Sequence, residues 1–199
     1  MFITFEGGDG SGKSTQIQRL ADTLRQRGIA VCVTREPGGC ATAEILRQIV
    51  LFPPQPWQAQ TTLLLMLAAR VEHVHHTIVP ALQQGQWVLC DRFTDSTRAY
   101  QSAGLGMPRG VVDMMTELLK IPNPDLTFIL DVPVEISQQR RQERQDSQDI
   151  FEQQQADFHQ RIRQAFLDIA GENPQRCRVI KAQQSLEKVA AEIFACIDF

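Results

Sequence analysis

Five short apolar runs punctuate the chain, at residues 2–6, 30–34, 87–90, 126–131 and 177–180. They are nearly continuous in apolar character rather than alternating, which predicts strands buried on both faces. Between them the spacing turns helical. Residues 13–27 carry Ile17, Leu20 and Leu24 on one face, and Gly28 follows as a stop. A second helix is predicted over 41–51, ended by Phe52-Pro53-Pro54, and a long one over 58–84, kinked by Pro80 and ended by Gly85. Shorter helices are expected at 96–102 and 108–120. Another covers 151–170, with Phe158, Ile162, Phe166 and Ile169 on one face, and a last one covers 186–197. Strands alternating with helices predict an α/β fold, a parallel sheet with helices on both faces. No repeat or linker divides the chain, so residues 1–199 are expected to form one domain.

The segment joining the first strand to the first helix reads Gly7-Gly8-Asp9-Gly10-Ser11-Gly12-Lys13-Ser14, a complete G-x-x-x-x-G-K-[ST] phosphate-binding loop. Glycines let main-chain N–H groups close around phosphate oxygens, and the helix start adds positive potential. Lys13 is expected to reach the β- and γ-phosphates of ATP. The Ser14 hydroxyl is expected on Mg²⁺, and Thr15 completes the nucleotide contacts. The fold expectation sharpens to a P-loop NTPase-type three-layer sandwich around a five-stranded parallel sheet.

Composition narrows the partners. Apolar residues make up 43% of the 199 and charged residues 22%, ordinary values for a globular domain. A net charge of −3 argues against a nucleic-acid polymer as partner, so an anionic substrate would need locally placed arginines. Five scattered cysteines without C-x-x-C spacing read as reduced thiols in the cytoplasm. The first strand is expected to begin at once, so no signal peptide is expected. The apolar stretch 62–69 is far too short to span a bilayer, so no membrane role is expected. The glutamine-rich run 138–164 reads as a solvated helix face plus a mobile segment.

Two further segments leave the ends of predicted strands, where ligands of open parallel sheets bind. Thr34-Arg35-Glu36-Pro37-Gly38-Gly39 follows the second, and Asp91-Arg92-Phe93 follows the third. An acid beside a P-loop can orient Mg²⁺, and the neighbouring arginine offers a planar fork for phosphate. Ser96-Thr97-Arg98-Ala99-Tyr100-Gln101 comes next.

These pieces, with Ala68-Ala69-Arg70, Pro124-Asp125-Leu126-Thr127, Leu130-Asp131 and an arginine-rich stretch after the fourth strand, resemble thymidylate kinases over nearly the whole chain. No N-K-x-D guanine motif and no L-S-G-G-Q occurs. The resemblance implies transfer of phosphate from Mg²⁺-ATP to dTMP, giving ADP and dTDP. It implies that Asp9 accepts from the deoxyribose 3′-hydroxyl and that Arg35 and Arg92 clamp the acceptor phosphate. Arg70 would read thymine, with Met66, Ser96, Thr97, Tyr100 and Gln101 lining the nucleoside pocket. Asp91 joins Ser14 at the metal. Residues 138–152 would form a mobile lid whose Arg140 and Arg144, with Lys13 and Arg92, stabilise the transferring group; Arg141 belongs to the same basic patch. A cis peptide before Pro37 and a homodimer are also implied.

The chain departs from the family pattern at four places. Met66-Leu67 replaces a stacking phenylalanine, and the segment around Leu105 lacks an arginine. Asp149-Ile150-Phe151-Glu152 lacks a lid arginine, and Cys40 stands where threonine is common. These keep two alternatives open: a kinase for another or base-modified deoxynucleoside monophosphate, or a weakly active nucleotide-binding paralogue. His73, His75 and His76 are expected on an exposed or subunit-interface face rather than at a metal.

Overall fold

A computed structural model describes residues 1–143 and 149–197. Five strands form one parallel sheet: β1 (Phe2–Glu6), β2 (Val31–Arg35), β3 (Trp87–Asp91), β4 (Leu126–Asp131) and β5 (Cys177–Lys181), in the order β2-β3-β1-β4-β5. The predicted strands are all present, with ends shifted by a residue at most. β1 sits at the centre, every one of its residues buried. It pairs with β3 from Phe2 opposite Val88 to Phe5 opposite Asp91, and with β4 from Ile3 opposite Leu126 to Glu6 opposite Ile129. Fully buried strands of this kind need helices on both faces, which explains their unbroken apolar character.

On one face, α1 (Lys13–Gln26) and α9 (Leu186–Ala195) pack Leu20, Leu24, Val189 and Ile193 against Ile3, Phe5, Phe128 and Leu130. On the other, α8 (Ala156–Glu172) buries Phe158, Ile162, Phe166 and Ile169 against Ile129 and Tyr100, the face predicted from the periodicity. Each such side chain fully removed from water contributes about 1.5–3 kcal/mol.

The remaining helices frame the strand ends. α2 (Ala41–Leu51) packs on α3 (Ala59–His73). The long predicted helix is not uniform: α3 passes through a π-helical turn, Val74–Ile78, into α4 (Val79–Gln83). Pro80 has no N–H and would collide with the carbonyl four residues back; the widened turn directly before it absorbs the conflict. α5 (Thr94–Thr97) likewise runs into a π turn, Arg98–Gly104, in place of the helix expected at 96–102. Gly104 then lies so close to α8 that a Cβ would approach Phe158 to 2.7 Å. α6 (Arg109–Leu118) and α7 (Val134–Gln142) complete the order.

The helix predicted over 151–170 starts only at Ala156. The Asp149 carboxylate accepts from the N–H groups of Phe151 and Glu152 at 2.8 and 3.0 Å and holds a turn there instead. Part of the predicted lid, with Arg144, lies outside the described residues. Among the described residues no helix is long and apolar enough to cross a membrane.

Candidate active site

The carboxyl ends of β1, β2 and β3 deliver three loops to one crevice. After β1 the glycine loop turns through left-handed backbone at Gly7, Gly10 and Gly12, with φ of 131°, 82° and 93°. Gly7 and Gly10 have no room for a side chain either. A Cβ at Gly7 would lie 2.6 Å from the Leu130 carbonyl, and one at Gly10 would lie 2.5 Å from that of Ser137 on α7. Lys13 folds back over the loop, Nζ donating to the Gly7 and Gly8 carbonyls at 3.1 and 3.0 Å. Burial and the nearby Arg92 lower its pKa from the ordinary lysine value. Ser11 Oγ is buried without a partner. Ser14 and Thr15 stand exposed on the first turn of α1, and Ser14 Oγ donates to Asp91 Oδ2 at 2.9 Å.

Arg92 bends the chain out of β3 through φ 68°, a strained conformation for a residue other than glycine that persists only when its surroundings hold it. Two hydrogen bonds do so: Arg92 N–H to the Phe5 carbonyl at 2.9 Å, and Phe93 N–H to Glu6 Oε1 at 2.8 Å. The turn aims the guanidinium back at the glycine loop. Its Nη2 donates to Asp9 Oδ1 at 2.6 Å and to the Tyr100 hydroxyl at 3.1 Å, and Nη1 donates to Ser96 Oγ at 3.1 Å. Burial would raise the Asp9 pKa, but Arg92, Lys13 and the hydrogen bonds from Arg92 and Tyr100 hold it well below the carboxylate range. Ser96 Oγ in turn donates to Glu6 Oε2 at 2.5 Å. Burial and the nearby Asp95 push the Glu6 carboxyl up to about 7.

From β2, the Glu36–Pro37 peptide is cis, as the resemblance implied. Arg35 is exposed and paired with Glu44 at 3.2 Å. It borders a polar cleft together with Lys13, Ser14, Asp91 and Arg92. Arg47, on α2, lines the same cleft, its Nη1 donating to the Pro37 carbonyl at 2.7 Å. No motif marks Arg47; its position one turn after Glu44, on the helix that follows Gly38-Gly39, was the only available signal.

The cleft shares Asp9 and Arg92 with a second pocket, where they form a polar end that the Tyr100 hydroxyl meets; Met66, Arg70, Thr97 and Gln101 line its far wall. Thr97 is buried there, and Leu51 and Phe151 line it as well. Arg70 is buried: Nε donates to Glu36 Oε2 at 2.6 Å and Nη2 to the Phe93 carbonyl at 2.9 Å. Its Nη1 has no partner, and neither do the amide nitrogen and oxygen of the fully buried Gln101. Leu67 points away into a small cluster with Leu63 and Val112, and Leu105 packs at the edge of the α8 core. Ile150 packs there too, with its N–H on the Leu51 carbonyl at 3.3 Å. Asp149 also lines the pocket; burial raises its carboxyl pKa despite two backbone hydrogen bonds.

Arg140 donates to the Gly10 carbonyl at 3.4 Å and the Ala182 carbonyl at 3.2 Å. One expectation changes. His73 is not exposed at all: its ring is fully buried, between Thr34 and Glu36. His75 and His76 do stand exposed, His76 within 3.5 Å of Glu72.

The thymidylate kinase family model matches residues 5–193. A thymidylate kinase of Nitrobacter hamburgensis is 50% identical, covering 98% of this chain and 87% of the relative. One from Ruegeria pomeroyi is 46% identical, covering 97% and 92%. Among solved structures, thymidylate kinase from Ehrlichia chaffeensis superposes with a TM-score of 0.81 at 38% identity, covering 100% of this chain and 98% of that one.

Proposed function

This chain belongs to the thymidylate kinase family and phosphorylates dTMP with ATP, giving ADP and dTDP; we propose that the two adjoining pockets divide that task between donor and acceptor. The observation that carries the assignment is the set of three buried, unpartnered polar atoms at the far wall: Arg70 Nη1, Gln101 Nε2 and Gln101 Oε1. Buried polar groups are rarely left unpaired without a reason. Thymine presents carbonyl, N–H and carbonyl along one edge. A carboxamide can accept from that N–H and donate to one carbonyl, and a guanidinium N–H can donate to the other.

The dTMP phosphate then falls at the polar end, among Arg92, Arg35 and Arg47. The sugar hydroxyl falls near Asp9. On the donor side the main-chain N–H groups from Gly7 to Thr15 and the Lys13 ammonium hold the ATP phosphates. Mg²⁺ fits Ser14 and Asp91: two hard oxygens already 2.9 Å apart, and this ion usually takes one or two protein oxygens, with phosphates and water completing its shell. When bound, it neutralises charge on the β- and γ-phosphates. An oxygen of the acceptor phosphate, already anionic, attacks the γ-phosphorus as the β–γ bridge breaks. No general base is needed, and the arginines hold the two anions in line. Arg140, anchored at the loop, and Arg144 belong to the segment we assign as a lid over 138–152.

We also propose a homodimer. Ile45, Ile49 and Phe52 on or just after α2, and Leu64 on α3, present an exposed apolar surface on two helices already packed together. The five cysteines are all free thiols, which suits a cytoplasmic setting.

Release of ADP measured with dTMP, dUMP, dCMP and dGMP tests the pocket assignment. A preference of at least about tenfold for dTMP over dCMP and dGMP is expected from the matched edge, which dUMP shares. Equal rates on all four would overturn it.

A further inference from the structure

The last residue of α3 explains how one nitrogen of Arg70 comes to be left over. The His73 ring has no exposure, so both ring nitrogens need partners inside the protein. Nδ1 lies 2.9 Å from Glu36 Oε1, and Nε2 lies 2.6 Å from Thr34 Oγ1. A carboxylate only accepts, so Nδ1 carries a proton and donates; Nε2 shares a hydrogen with the Thr34 hydroxyl. The other oxygen of Glu36 accepts from Arg70 Nε at 2.6 Å, and the Phe93 carbonyl accepts from Nη2. Nη1 is the one guanidinium nitrogen without a partner, and Arg70 lines the acceptor pocket. The loop after β2 is shaped around this ring: at Gly39, with φ 87°, a Cβ would lie 2.4 Å from the imidazole, and the Gly39 carbonyl is held by the Thr77 hydroxyl at 2.8 Å. Thr34 and Glu36 flank Arg35, so the same ring ties the nucleobase wall to the loop that bears a phosphate-facing arginine.

We propose that His73 is a positioning residue for nucleobase selectivity, clamping Glu36 so that Arg70 presents its unpartnered Nη1 to the base in a fixed orientation. This rests on the reading that Arg70 faces the base. A fixed nitrogen that only donates favours a carbonyl at position 4 of a pyrimidine and disfavours an amino group there. A guanidinium free to rotate would lose that discrimination while still attracting the nucleotide.

Steady-state kinetics with dTMP and dCMP test this on His73→Leu, His73→Asn, Thr34→Val and Arg70→Lys. His73→Leu loses both hydrogen bonds; it should raise the KM for dTMP about tenfold and cut the dTMP-over-dCMP preference by a similar factor. Its kcat and KM for ATP should stay within about threefold, because the lost interaction concerns binding rather than the transition state. His73→Asn keeps a donor near the Nδ1 position and should recover KM to within about threefold of native. Should His73→Leu fail to fold, Thr34→Val removes one hydroxyl at constant shape and should raise the KM for dTMP about two- to fivefold. A His73→Leu or Thr34→Val protein with a lower melting temperature but native KM and native preference overturns the proposal: the ring would then only fill the core. If Arg70→Lys changes KM and preference while the His73 and Thr34 variants do not, this inference fails and the base-reading role of Arg70 stands. If Arg70→Lys is also silent, both fall.

Discussion

The donor end and the acceptor end of the crevice are built from different materials. The donor end is main chain: a contiguous loop with glycines at positions where a side chain would collide, and one lysine folded onto two of its own carbonyls. The acceptor end is side chain, drawn from the glycine loop, β2, α2, α3, the β3 turn, α5 and the π turn after it. It is organised as guanidinium groups already paired, Arg92 with Asp9, Arg70 with Glu36 and Arg35 with Glu44. A main-chain cradle recognises phosphate, which every nucleoside triphosphate shares. An assembly of fixed side chains can recognise one nucleobase, because a mismatch leaves buried polar groups unpaired.

The largest expected effect lies on the donor side. Lys13→Ala removes the cation folded onto that loop and should lower kcat by at least about 10²-fold. ADP release measures it, and a rate within tenfold of native would break the division of labour drawn above. On the acceptor side, Arg92→Lys keeps the charge but not the planar geometry that bonds Asp9, Tyr100 and Ser96 at once. It should lower kcat/KM for dTMP about 10²-fold with the KM for ATP unchanged. An equal loss for both substrates would mean that Arg92 is not confined to the acceptor.

How much of this could be read from sequence follows the same line. The five strands and the phosphate loop were legible because each is contiguous: a buried strand is a short apolar run, and the loop motif carries its own spacing. The acceptor residues are joined only in three dimensions, and the resemblance, not any periodicity, placed them together. His73 shows the limit. Its partners lie 39 and 37 residues away, so a lone histidine beside two exposed ones read as surface. Arg47 carried no motif. The turn at Asp149 and the π turn before Pro80 depend on packing and local sterics that a hydrophobic pattern does not encode.

Two smaller effects sharpen the contrast. Glu6 supports the Arg92 turn, and its carboxyl is raised from 4.5 to about 7 by burial and by Asp95. The folded state therefore binds this proton more tightly than the unfolded chain does, so Glu6 stabilises the fold at low pH and that stability is lost as pH rises from about 4.5 to 7. The Asp9 carboxyl, held low, acts in the opposite sense, but only at more acid pH. Melting temperatures across pH 5–8 should fall more steeply for the native chain than for Glu6→Gln. Parallel curves would show that Glu6 does not titrate there. The smallest effect is at Cys40, which occupies the N-cap of α2 without making a side-chain cap bond. Cys40→Thr should add about 0.5–1 kcal/mol of stability, read as a higher melting temperature, with little change in activity. A lower melting temperature would show that the loop after β2 has no place for a hydroxyl cap.

The most direct test is a crystal structure with dTMP and a non-hydrolysable ATP analogue bound together. Guanidinium nitrogens of Arg92 and Arg35 should lie within about 3 Å of the monophosphate oxygens, with the triphosphate wrapped by the amides of residues 7–15. Arg92 and Arg35 turned away from the monophosphate, or dTMP seated outside the pocket walled by Arg70 and Gln101, would contradict the account.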